Sequence, residues 1–413
     1  MSLLAASIAQ QKSIQLGGGP APLLTGFATA VSTGNGAQPP NYANLLFDDI
    51  GAYDAAAQSR LTLQNDALVR HVAGNFNGDN SAYMYLDANG GETRIGTAYN
   101  RAYVAPNTFA GVNAKGGIHE ASAGDYYSVR RNTYSNASSS WQSIEIIDPS
   151  LKGCLVGRQT GVTIAGGSMT PYPWDTVVYD TNNFFDPVNP TGFTIPTDGW
   201  YRLSCSVYKN TSDYHYGLFH KNGSTDFAGN AYHQEESGYD ALNLVTAPVY
   251  LLAGDFVELR RIDAQSGTFE GRNFQYMCIE LVDPSIQRVL AMAPGGSATS
   301  SNPFISWGRR EWGPASMFDP AVDPSRLFVP PGCTQARVST NFSNSWQGRK
   351  FEVVTYHEQS GITAAQSCNT GALNIFGPWL PVAPGDSFLI RAYAARSRAN
   401  VDNASSWWCL ECR

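Results

Sequence analysis

A repeat with a period near 130 residues is the feature that most constrains how this 413-residue chain can fold. Residues 278–285 read Cys-Ile-Glu-Leu-Val-Asp-Pro-Ser, and residues 143–150, which lie 135 positions earlier, read Ser-Ile-Glu-Ile-Ile-Asp-Pro-Ser. Residues 409–412 read Cys-Leu-Glu-Cys and begin 131 positions after the first of these runs. Such a period is too long for a solenoid unit and fits a small domain. We therefore interpret the chain as three copies of one fold.

A Gly-Asp turn that precedes a strand-like run recurs with the same period. It occurs at residues 124–125, 254–255 and 385–386, and in every copy an arginine follows the aspartate by five positions. Aspartate in such a turn usually accepts hydrogen bonds from nearby backbone. We therefore interpret these three aspartates as turn residues and not as catalytic acids.

The composition predicts an all-β protein. Charged residues make up 15% of the chain and aromatic residues 12%, with 40 glycines and 23 prolines. Few charges, many aromatics and frequent turn residues favour strands over helices. Short strands separated by turn signals are typical of sandwiches and jelly rolls. We predict three tandem jelly-roll β-sandwiches at residues 41–150, 151–285 and 286–413, each large enough for its own core.

Residues 1–40 are expected to form an extended N-terminal arm. This segment is rich in Gly, Ala, Pro and Thr and has almost no charge, so it cannot bury a core of its own. It is either a disordered tail or an arm that becomes ordered on a partner surface, and its low charge favours the arm. In the first copy, Asn89-Gly90 predicts a hairpin turn. The Gly/Asn-rich insert at residues 105–117 predicts an exposed loop.

Charge and hydropathy exclude two classes of partner. The net charge is −7, and no basic run is interleaved with aromatics, which argues against nucleic-acid binding. No apolar run approaches the ~18 residues of a membrane span. The N-terminus also lacks the positive region of a secretory signal.

Seven cysteines are present, and they do not recur consistently among the copies. Strand alternation would place Cys409 and Cys412 on opposite faces, which disfavours a zinc site or a local disulfide there. We predict buried free thiols, which suit a reducing cytoplasm.

Catalytic motifs are absent from the sequence. It contains no Gly-x-Ser-x-Gly elbow, no phosphate loop and no His-Glu-x-x-His. We predict a non-enzymatic protein without a cofactor. Glu145, Glu280 and Glu411 recur inside apolar runs, and each is either a structural glutamate or a contact at a subunit interface. Carboxylates around a three-fold axis could hold Ca²⁺, although the sequence does not require it.

The third copy contains six of the nine tryptophans of the chain. About half of them are expected to fill the core, because tryptophan buries a large area. The others are expected to form a platform that contacts a ligand or a partner subunit. The candidates for this contact are Trp307, Trp312, Trp346 and Trp379.

The second copy carries motifs of a known family. Residues 185–187 read Phe-Asp-Pro, residues 192–201 read Gly-Phe-Thr-Ile-Pro-Thr-Asp-Gly-Trp-Tyr, and residues 249–259 read Val-Tyr-Leu-Leu-Ala-Gly-Asp-Phe-Val-Glu-Leu. Together these runs resemble the signature of complement C1q-like domains. The resemblance implies ten-stranded jelly rolls that pack into compact trimers and act by binding. Similar units occur in virion proteins of tailed phages and gene-transfer particles.

From this resemblance we expect a virion structural protein, such as a head fibre, a decoration protein or a tail-fibre component, assembled in the host cytoplasm. The arm would attach to a capsid or tail protein, and the jelly rolls would trimerise and bind a host surface glycan. The alternative is a soluble carbohydrate-binding or cell-adhesion lectin. A polysaccharide depolymerase is a third class, which would need paired carboxylates ~5–9 Å apart in a groove.

Three jelly rolls in one chain can assemble in two ways. Three chains can align as a homotrimer that stacks three discs, or one chain can supply all three sectors of a pseudo-trimer. The Asp-Pro-Ser links between the copies are short and stiff, which slightly favours the stacked homotrimer.

Overall fold

The computed structural model describes most of the chain between residues 24 and 413. The described residues are 24–31, 44–77, 81–89, 93–101, 110–131, 141–148, 150–209, 215–225, 227–235, 240–263, 267–269, 272–294, 297–298, 304–342, 351–358, 362–369, 373–394, 399–400 and 406–413. Every named element within these ranges is a β-strand.

We group the strands into three consecutive units, according to the sheets that they form. The first unit contains β1 (Leu24–Val31), β2 (Asn44–Asp48), β3 (Arg60–Thr62), β4 (Ala67–Asn77), β5 (Ser81–Ala88), β6 (Thr93–Arg101), β7 (Ala110–Lys115), β8 (His119–Ala121), β9 (Tyr126–Arg131) and β10 (Trp141–Ile147).

The second unit contains β11 (Gly153–Arg158), β12 (Val162–Ile164), β13 (Thr170–Pro171), β14 (Thr176–Asp180), β15 (Gly192–Thr194), β16 (Gly199–Lys209), β17 (His215–Lys221), β18 (Tyr232–Glu235), β19 (Asp240–Val245), β20 (Val249–Leu251), β21 (Phe256–Asp263), β22 (Gly267–Phe269) and β23 (Arg272–Leu281).

The third unit contains β24 (Gln287–Pro294), β25 (Ser297–Ala298), β26 (Trp307–Trp312), β27 (Arg326–Phe328), β28 (Gln335–Phe342), β29 (Phe351–His357), β30 (Ile362–Asn369), β31 (Leu373–Phe376), β32 (Leu380–Pro381), β33 (Ser387–Ala394), β34 (Ala399–Asn400) and β35 (Trp407–Cys412).

Each unit is built from two sheets with the same strand order. The inner sheets run β2-β1-β10-β4-β7, β14-β11-β23-β16-β19 and β26-β24-β35-β28-β31. The outer sheets run β3-β9-β5-β6, β13-β21-β17-β18 with β15 beside β21, and β30-β29-β33-β27. The last of these continues from β7 of the first inner sheet, so these two sheets form one ten-stranded sheet. Neighbouring strands pair antiparallel with crossovers between the two sheets, which is the jelly-roll arrangement. The prediction of an all-β jelly-roll fold is confirmed.

The first inner sheet includes a strand from the segment that we expected to be the arm. Strand β1 pairs with β10 from Leu24 to Val31. Its residues Ala28 and Ala30 are fully buried, and the Thr29 hydroxyl donates to the Ser143 hydroxyl at 2.9 Å. The first unit therefore begins at β1, before residue 41. The rest of the expected arm, residues 1–23 and 32–40, lies outside the described residues.

Within the insert at residues 105–117, the described residues 110–117 do not form the exposed loop that its composition predicted. Residues 110–115 form β7, which pairs with β4, and Lys115 at its end is fully buried. Glycine and asparagine are depleted in strands on average. This strand forms because it lies between β4 and the neighbouring units, which satisfy its backbone and cover its end.

The turn chemistry follows the sequence predictions. Asn89 has a positive φ of 51° and stands between the paired strands β5 and β6, which confirms the hairpin. The aspartates of the three Gly-Asp turns accept backbone hydrogen bonds, at 2.8 Å from Ser122 to Asp125, 2.9 Å from Leu252 to Asp255 and 2.7 Å from Ala383 to Asp386. Their interpretation as turn residues is confirmed.

The links between units are tight turns held by their aspartates. Asp148 accepts from the backbone N–H of Ser150 at 2.7 Å, and Asp283 accepts from the backbone N–H of Ser285 at 2.8 Å. The first turn leads from β10 to β11, and the second leads from β23 to β24. Each link thus joins a central strand of one inner sheet directly to a central strand of the next.

The two faces of the last strand, β35, pack into two different apolar cores. Trp408, Leu410 and Cys412 contribute to the core of the third unit, whereas Trp407 and Cys409 join the core of the second unit. The expectation that Cys409 and Cys412 lie on opposite faces is confirmed. Six cysteines within the described residues are buried free thiols, as predicted: Cys154, Cys205, Cys278, Cys333, Cys409 and Cys412.

Candidate functional site: an axial ring of arginines and glutamates

Each inner sheet places one arginine directly opposite one glutamate on neighbouring strands. The cross-strand pairs are Arg70 and Glu145 on β4 and β10, Arg202 and Glu280 on β16 and β23, and Arg337 and Glu411 on β28 and β35. Opposite charges in such positions attract each other across a sheet. These six residues occupy equivalent positions in the three units, and we call them the axial ring.

Every arginine of the axial ring binds the glutamate of its own unit. Arg70 Nε donates to Glu145 Oε2 at 3.0 Å, and its Nη2 donates to the same oxygen. Arg202 Nη1 donates to Glu280 Oε1 at 3.2 Å. In the third unit, Arg337 Nε donates to Glu411 Oε2 at 2.8 Å. The pairing within units therefore has approximate three-fold repetition.

Every arginine also binds the glutamate of the next unit. Arg70 Nη1 donates to both carboxylate oxygens of Glu280, at 2.6 and 2.5 Å. Arg202 Nη2 donates to Glu411 Oε2 at 2.5 Å. Arg337 closes the cycle, because its Nη1 donates to Glu145 Oε1 at 3.3 Å. The contacts run from unit one to two, from two to three and from three to one, all within a single chain.

The six side chains of the axial ring are buried, so the ionisation of each glutamate depends on the arginines beside it. All six side chains are at most 5% exposed. Burial alone would raise the pKa of Glu411, but Arg202 and Arg337 outweigh it and lower this pKa to about 2. The pKa values of Glu145 and Glu280 are lowered by their arginines in the same way. The three carboxylates are therefore ionised at neutral pH.

The axial ring departs from three-fold symmetry, because aromatic side chains flank one of its arginines and a lysine lies beside one of its glutamates. Arg337 lies between two aromatic rings, with its guanidinium carbon 4.4 Å from the centroid of Phe376 and 4.6 Å from that of Trp379. Burial lowers the pKa of Arg337 more than Glu411 raises it. Lys115 is fully buried, with Nζ 2.9 Å from Ser204 Oγ and 3.7 Å from Glu280 Oε2. Burial lowers the pKa of Lys115 to about 8, although Glu280 opposes this effect.

Two apolar clusters that combine residues from the three units lie on either side of the ring. One contains Val72, Trp141, Val245 and Phe376. The other contains Ile118, Ile147, Leu151, Ile286 and Trp379. The ion pairs are buried between these clusters, and burial strengthens the interactions and raises the cost of breaking any one of them.

Backbone contacts made by two asparagines connect neighbouring units beside the ring. Asn243 accepts from the N–H of Lys115 at 3.3 Å, and Asn374 accepts from the N–H of Val245 at 2.9 Å. Asn374 also donates to the carbonyl of Val245 at 2.8 Å. Asn243 and Asn374 hold equivalent positions in β19 and β31, so the same side chain makes the same kind of contact at two of the junctions.

The tryptophan candidates are distributed between the core and the surface. Trp307 and Trp379 are fully buried, so neither presents a face to solvent. Trp312 is partly exposed, and Trp346 lies outside the described residues. Among the four residues, only Trp312 is therefore placed by the described structure where a ligand from solution can reach it.

Trp312 belongs to an exposed aromatic cluster at the junction of the second and third units. Its ring centroid is 4.9 Å from that of Trp200, and Trp200 lies 5.6 Å from Tyr250. Tyr250 is 52% exposed. The guanidinium of Arg288 lies 5.5 Å from the ring of Trp200. We call Trp200, Tyr250, Trp312 and Arg288 the junction cluster.

Neither a calcium site nor a hydrolytic centre fits the axial ring. Ca²⁺ needs several oxygen ligands around the ion, and here the guanidinium groups already occupy the carboxylates. The described residues contain no group of three or more His, Cys, Asp or Glu that could hold a metal ion. A general acid for glycoside hydrolysis needs a raised pKa, whereas the pKa values of these glutamates are lowered.

The arginines of the ring were missed in the sequence, although a signal was present. Arg70, Arg202 and Arg337 are spaced by 132 and 135 residues, which is the period of the other landmarks. Lys115 and Phe376 could not be found in this way, because the positions that face the axis on β7 and β31 carry different residues. Trp200 and Tyr250 lie in the second unit, whereas the candidates were sought in the third.

Comparison with known proteins finds similarity at the level of structure only. No protein-family model and no curated protein matches the chain. In total, 127 chains of solved structures match. The Eiger TNF from S. frugiperda is 13% identical, covering 33% of this chain and 97% of its own, with a TM-score of 0.26. Murine APRIL is 10% identical, covering 32% and 100%, with a TM-score of 0.27. The globular domain of zebrafish complement 1qA is 14% identical, covering 32% and 96%, with a TM-score of 0.23.

Within the described part of the chain, no helix has the length and apolar character needed to cross a membrane.

Proposed function

We propose that this chain is a non-enzymatic structural and binding protein in which one polypeptide supplies all three sectors of a pseudo-trimer. The observation that carries the proposal is the cyclic pattern of the axial ring, in which each arginine binds the glutamate of its own unit and that of the next. In a stack of trimeric discs, each glutamate would instead meet its own equivalents from other chains. The short links do not prevent closure, because they join strands that both lie beside the axis.

The setting that we propose is the virion of a tailed phage or a phage-like particle, as a head fibre, decoration protein or tail-fibre component. In this role, a terminal segment would attach to a capsid or tail protein, and the three jelly rolls would project. The first 23 residues contain one charged side chain, Lys12, a composition that favours an apolar partner surface over a solvated tail. The resemblance of the second unit to C1q-like domains supports the same setting.

Truncation at two positions tests the attachment role. Removal of residues 1–23 leaves β1 intact, so the variant should keep the unfolding temperature of the full chain but be lost from particles purified from the host. Removal of residues 1–31 also deletes β1 with its buried Ala28 and Ala30 and should destabilise the first unit. If purified particles contain the variant without residues 1–23 at full occupancy, the attachment role is contradicted.

A carbohydrate-binding lectin is the second candidate, and the junction cluster is the observation that favours it. Aromatic side chains with an apolar face and a polar tip suit a surface that binds partly polar ligands. The cluster combines two indoles, a half-exposed tyrosine and a guanidinium within one surface patch. On a glycan array, binding by the full chain that is lost in Tyr250→Ala and kept in Val322→Ala would support this candidate. Val322 is 80% exposed and lies outside the cluster. An array without any bound glycan would count against this candidate.

A further inference from the structure

Two of the buried thiols, those of Cys333 and Cys412, meet where β35 ends. Both residues belong to the apolar core of the third unit, and they are 2% and 0% exposed. The Cys412 thiol donates a hydrogen bond to the sulfur of Cys333. The side chain of Gln287 is a second donor, with its Nε2 3.6 Å from Cys333 Sγ. The Cys333 sulfur therefore accepts two hydrogen bonds, one of them from another thiol.

The backbone directs both cysteine side chains into the same core. Cys412 pairs with Ala336 across β35 and β28. Just beyond this pair, the N–H groups of Thr334 and Gln335 both donate to the carbonyl of the last residue, at 2.8 and 3.0 Å. Two residues thus oppose one, which is a β-bulge, and a bulge re-aims nearby side chains. Cys333 consequently lies in the core with Cys412, although an odd number of positions separates it from Ala336.

The surroundings of the two thiols favour attack by Cys333 and a following step by Cys412. The hydrogen bond from Cys412 lowers the pKa of Cys333, whereas burial and the same bond raise the pKa of Cys412. The thiolate is the nucleophilic form of cysteine, and a lowered pKa beside a second thiol is typical of cysteines that oxidise reversibly. Access favours the same order, because Gln287, which contacts Cys333, is an exposed residue. Hydrogen peroxide is close to water in size and can reach a sulfur that larger thiol reagents cannot.

We propose that Cys333 and Cys412 form a redox-sensitive pair that a hydroperoxide oxidises to a disulfide. The Cys333 thiolate attacks one oxygen of hydrogen peroxide, the O–O bond breaks, and hydroxide leaves while the sulfur becomes a sulfenic acid. The Cys412 thiol then attacks this sulfur, so that the S–S bond forms and the oxygen leaves as water. Overall, the two thiols give up two electrons and two protons, and the peroxide becomes two molecules of water.

The disulfide would fasten the last strand to the rest of the third unit. Strand β35 carries Glu411 of the axial ring and sends Trp407 and Cys409 into the core of the second unit. The bond would therefore stabilise the junction of these units as well as the third unit itself. It closes a loop of roughly 80 residues, and closing a long loop restricts the unfolded chain strongly. In a reducing compartment the pair stays as two thiols. This inference does not depend on the virion or lectin setting.

The first experiment treats the native full chain with hydrogen peroxide and then blocks the remaining thiols with an alkylating reagent in denaturant. Peptide mass spectrometry should show a disulfide between Cys333 and Cys412 that dithiothreitol reverses. The oxidised protein should unfold at a midpoint on the order of 5 °C above that of the reduced protein. Cys409→Ser is the matched control, because it changes a buried thiol of the same strand and Ser143 holds the equivalent position in the first unit. This variant should keep both the disulfide and the shift.

Two further variants separate the roles of the two thiols. In Cys412→Ala, peroxide should leave a sulfenic acid on Cys333, which dimedone added with denaturant can trap. In Cys333→Ala, Cys412 should carry no dimedone. The disulfide map of the full chain needs no variant, so the proposal stays falsifiable if a substitution prevents folding. Two free thiols after peroxide treatment, a disulfide to any other cysteine, or an oxidised protein with an unchanged midpoint would overturn the proposal.

Discussion

Replacement of Glu280 by glutamine tests how strongly the axial ring holds the three units together. The substitution preserves the size of the side chain and removes one negative charge. The carboxylate of Glu280 accepts hydrogen bonds from Arg70 Nη1 at 2.6 and 2.5 Å and from Arg202 Nη1 at 3.2 Å. Its residue is 3% exposed. In the variant, the buried cations Arg70, Lys115, Arg202 and Arg337 would face two carboxylates.

The expected loss is large because the substitution leaves buried guanidinium groups without their opposite charge. Removing one partner of a buried ion pair typically costs about 3–5 kcal/mol, a substantial part of a domain's total stability of roughly 5–15 kcal/mol. We therefore expect Glu280→Gln to lower the free energy of unfolding by about 3–5 kcal/mol, measured by urea denaturation followed by tryptophan fluorescence.

The matched control is an exposed ion pair on the third unit. Glu311 binds Arg309 at 2.9 Å, and their side chains are 31% and 53% exposed. Such pairs contribute about 0–1 kcal/mol, so Glu311→Gln should have a small effect. If Glu280→Gln costs no more than Glu311→Gln, the axial ring does not stabilise the assembly in the way described.

Three further predictions concern buried groups. Burial lowers the pKa of Lys115 to about 8, below its unfolded value of ~10.4. The stability of the full chain relative to that of Lys115→Met should therefore rise between pH 8 and 10, as urea denaturation of both proteins at several pH values can measure. Burial lowers the pKa of His71 to about 3, so the stability that its neutral form provides is complete above pH ~6.5 and is lost as the pH falls towards 3. His71→Gln should flatten this part of the profile, and an unchanged slope would contradict the assignment. The six buried thiols should resist a thiol reagent in the native state, so at most one of the seven cysteines should react before denaturant is added, as mass spectrometry can count.

Much of the fold could be predicted because the repeat preserves turn and core residues that local rules can interpret. The Gly-Asp turns and the Asn89 hairpin depend on backbone preferences that act within a few residues. Strand β7 could not be predicted, because its glycine and asparagine form a strand only when β4 and the neighbouring units lie beside it.

The candidate site was predicted only in part. Glu145, Glu280 and Glu411 were noticed because a charge inside an apolar run is unusual, but their partners lie about 75 residues away within each unit or in another unit. Which units meet depends on how the strands turn at the links. The stiffness of those links favoured the stacked homotrimer, whereas the cyclic contacts of the axial ring support the pseudo-trimer that we propose. Trp307 and Trp379 show the same limit, because composition cannot distinguish a tryptophan in the core from one on the surface.

The solution mass of the full chain, measured by light scattering, tests the central claim most directly. In a single-chain pseudo-trimer, the arginines and glutamates of the axial ring are paired within one chain and need no other chain. The account therefore predicts a mass near the chain mass of 44.6 kDa. A mass near three times that value, which persists after removal of residues 1–23, would contradict it, because the jelly rolls would then need other chains to complete their trimer.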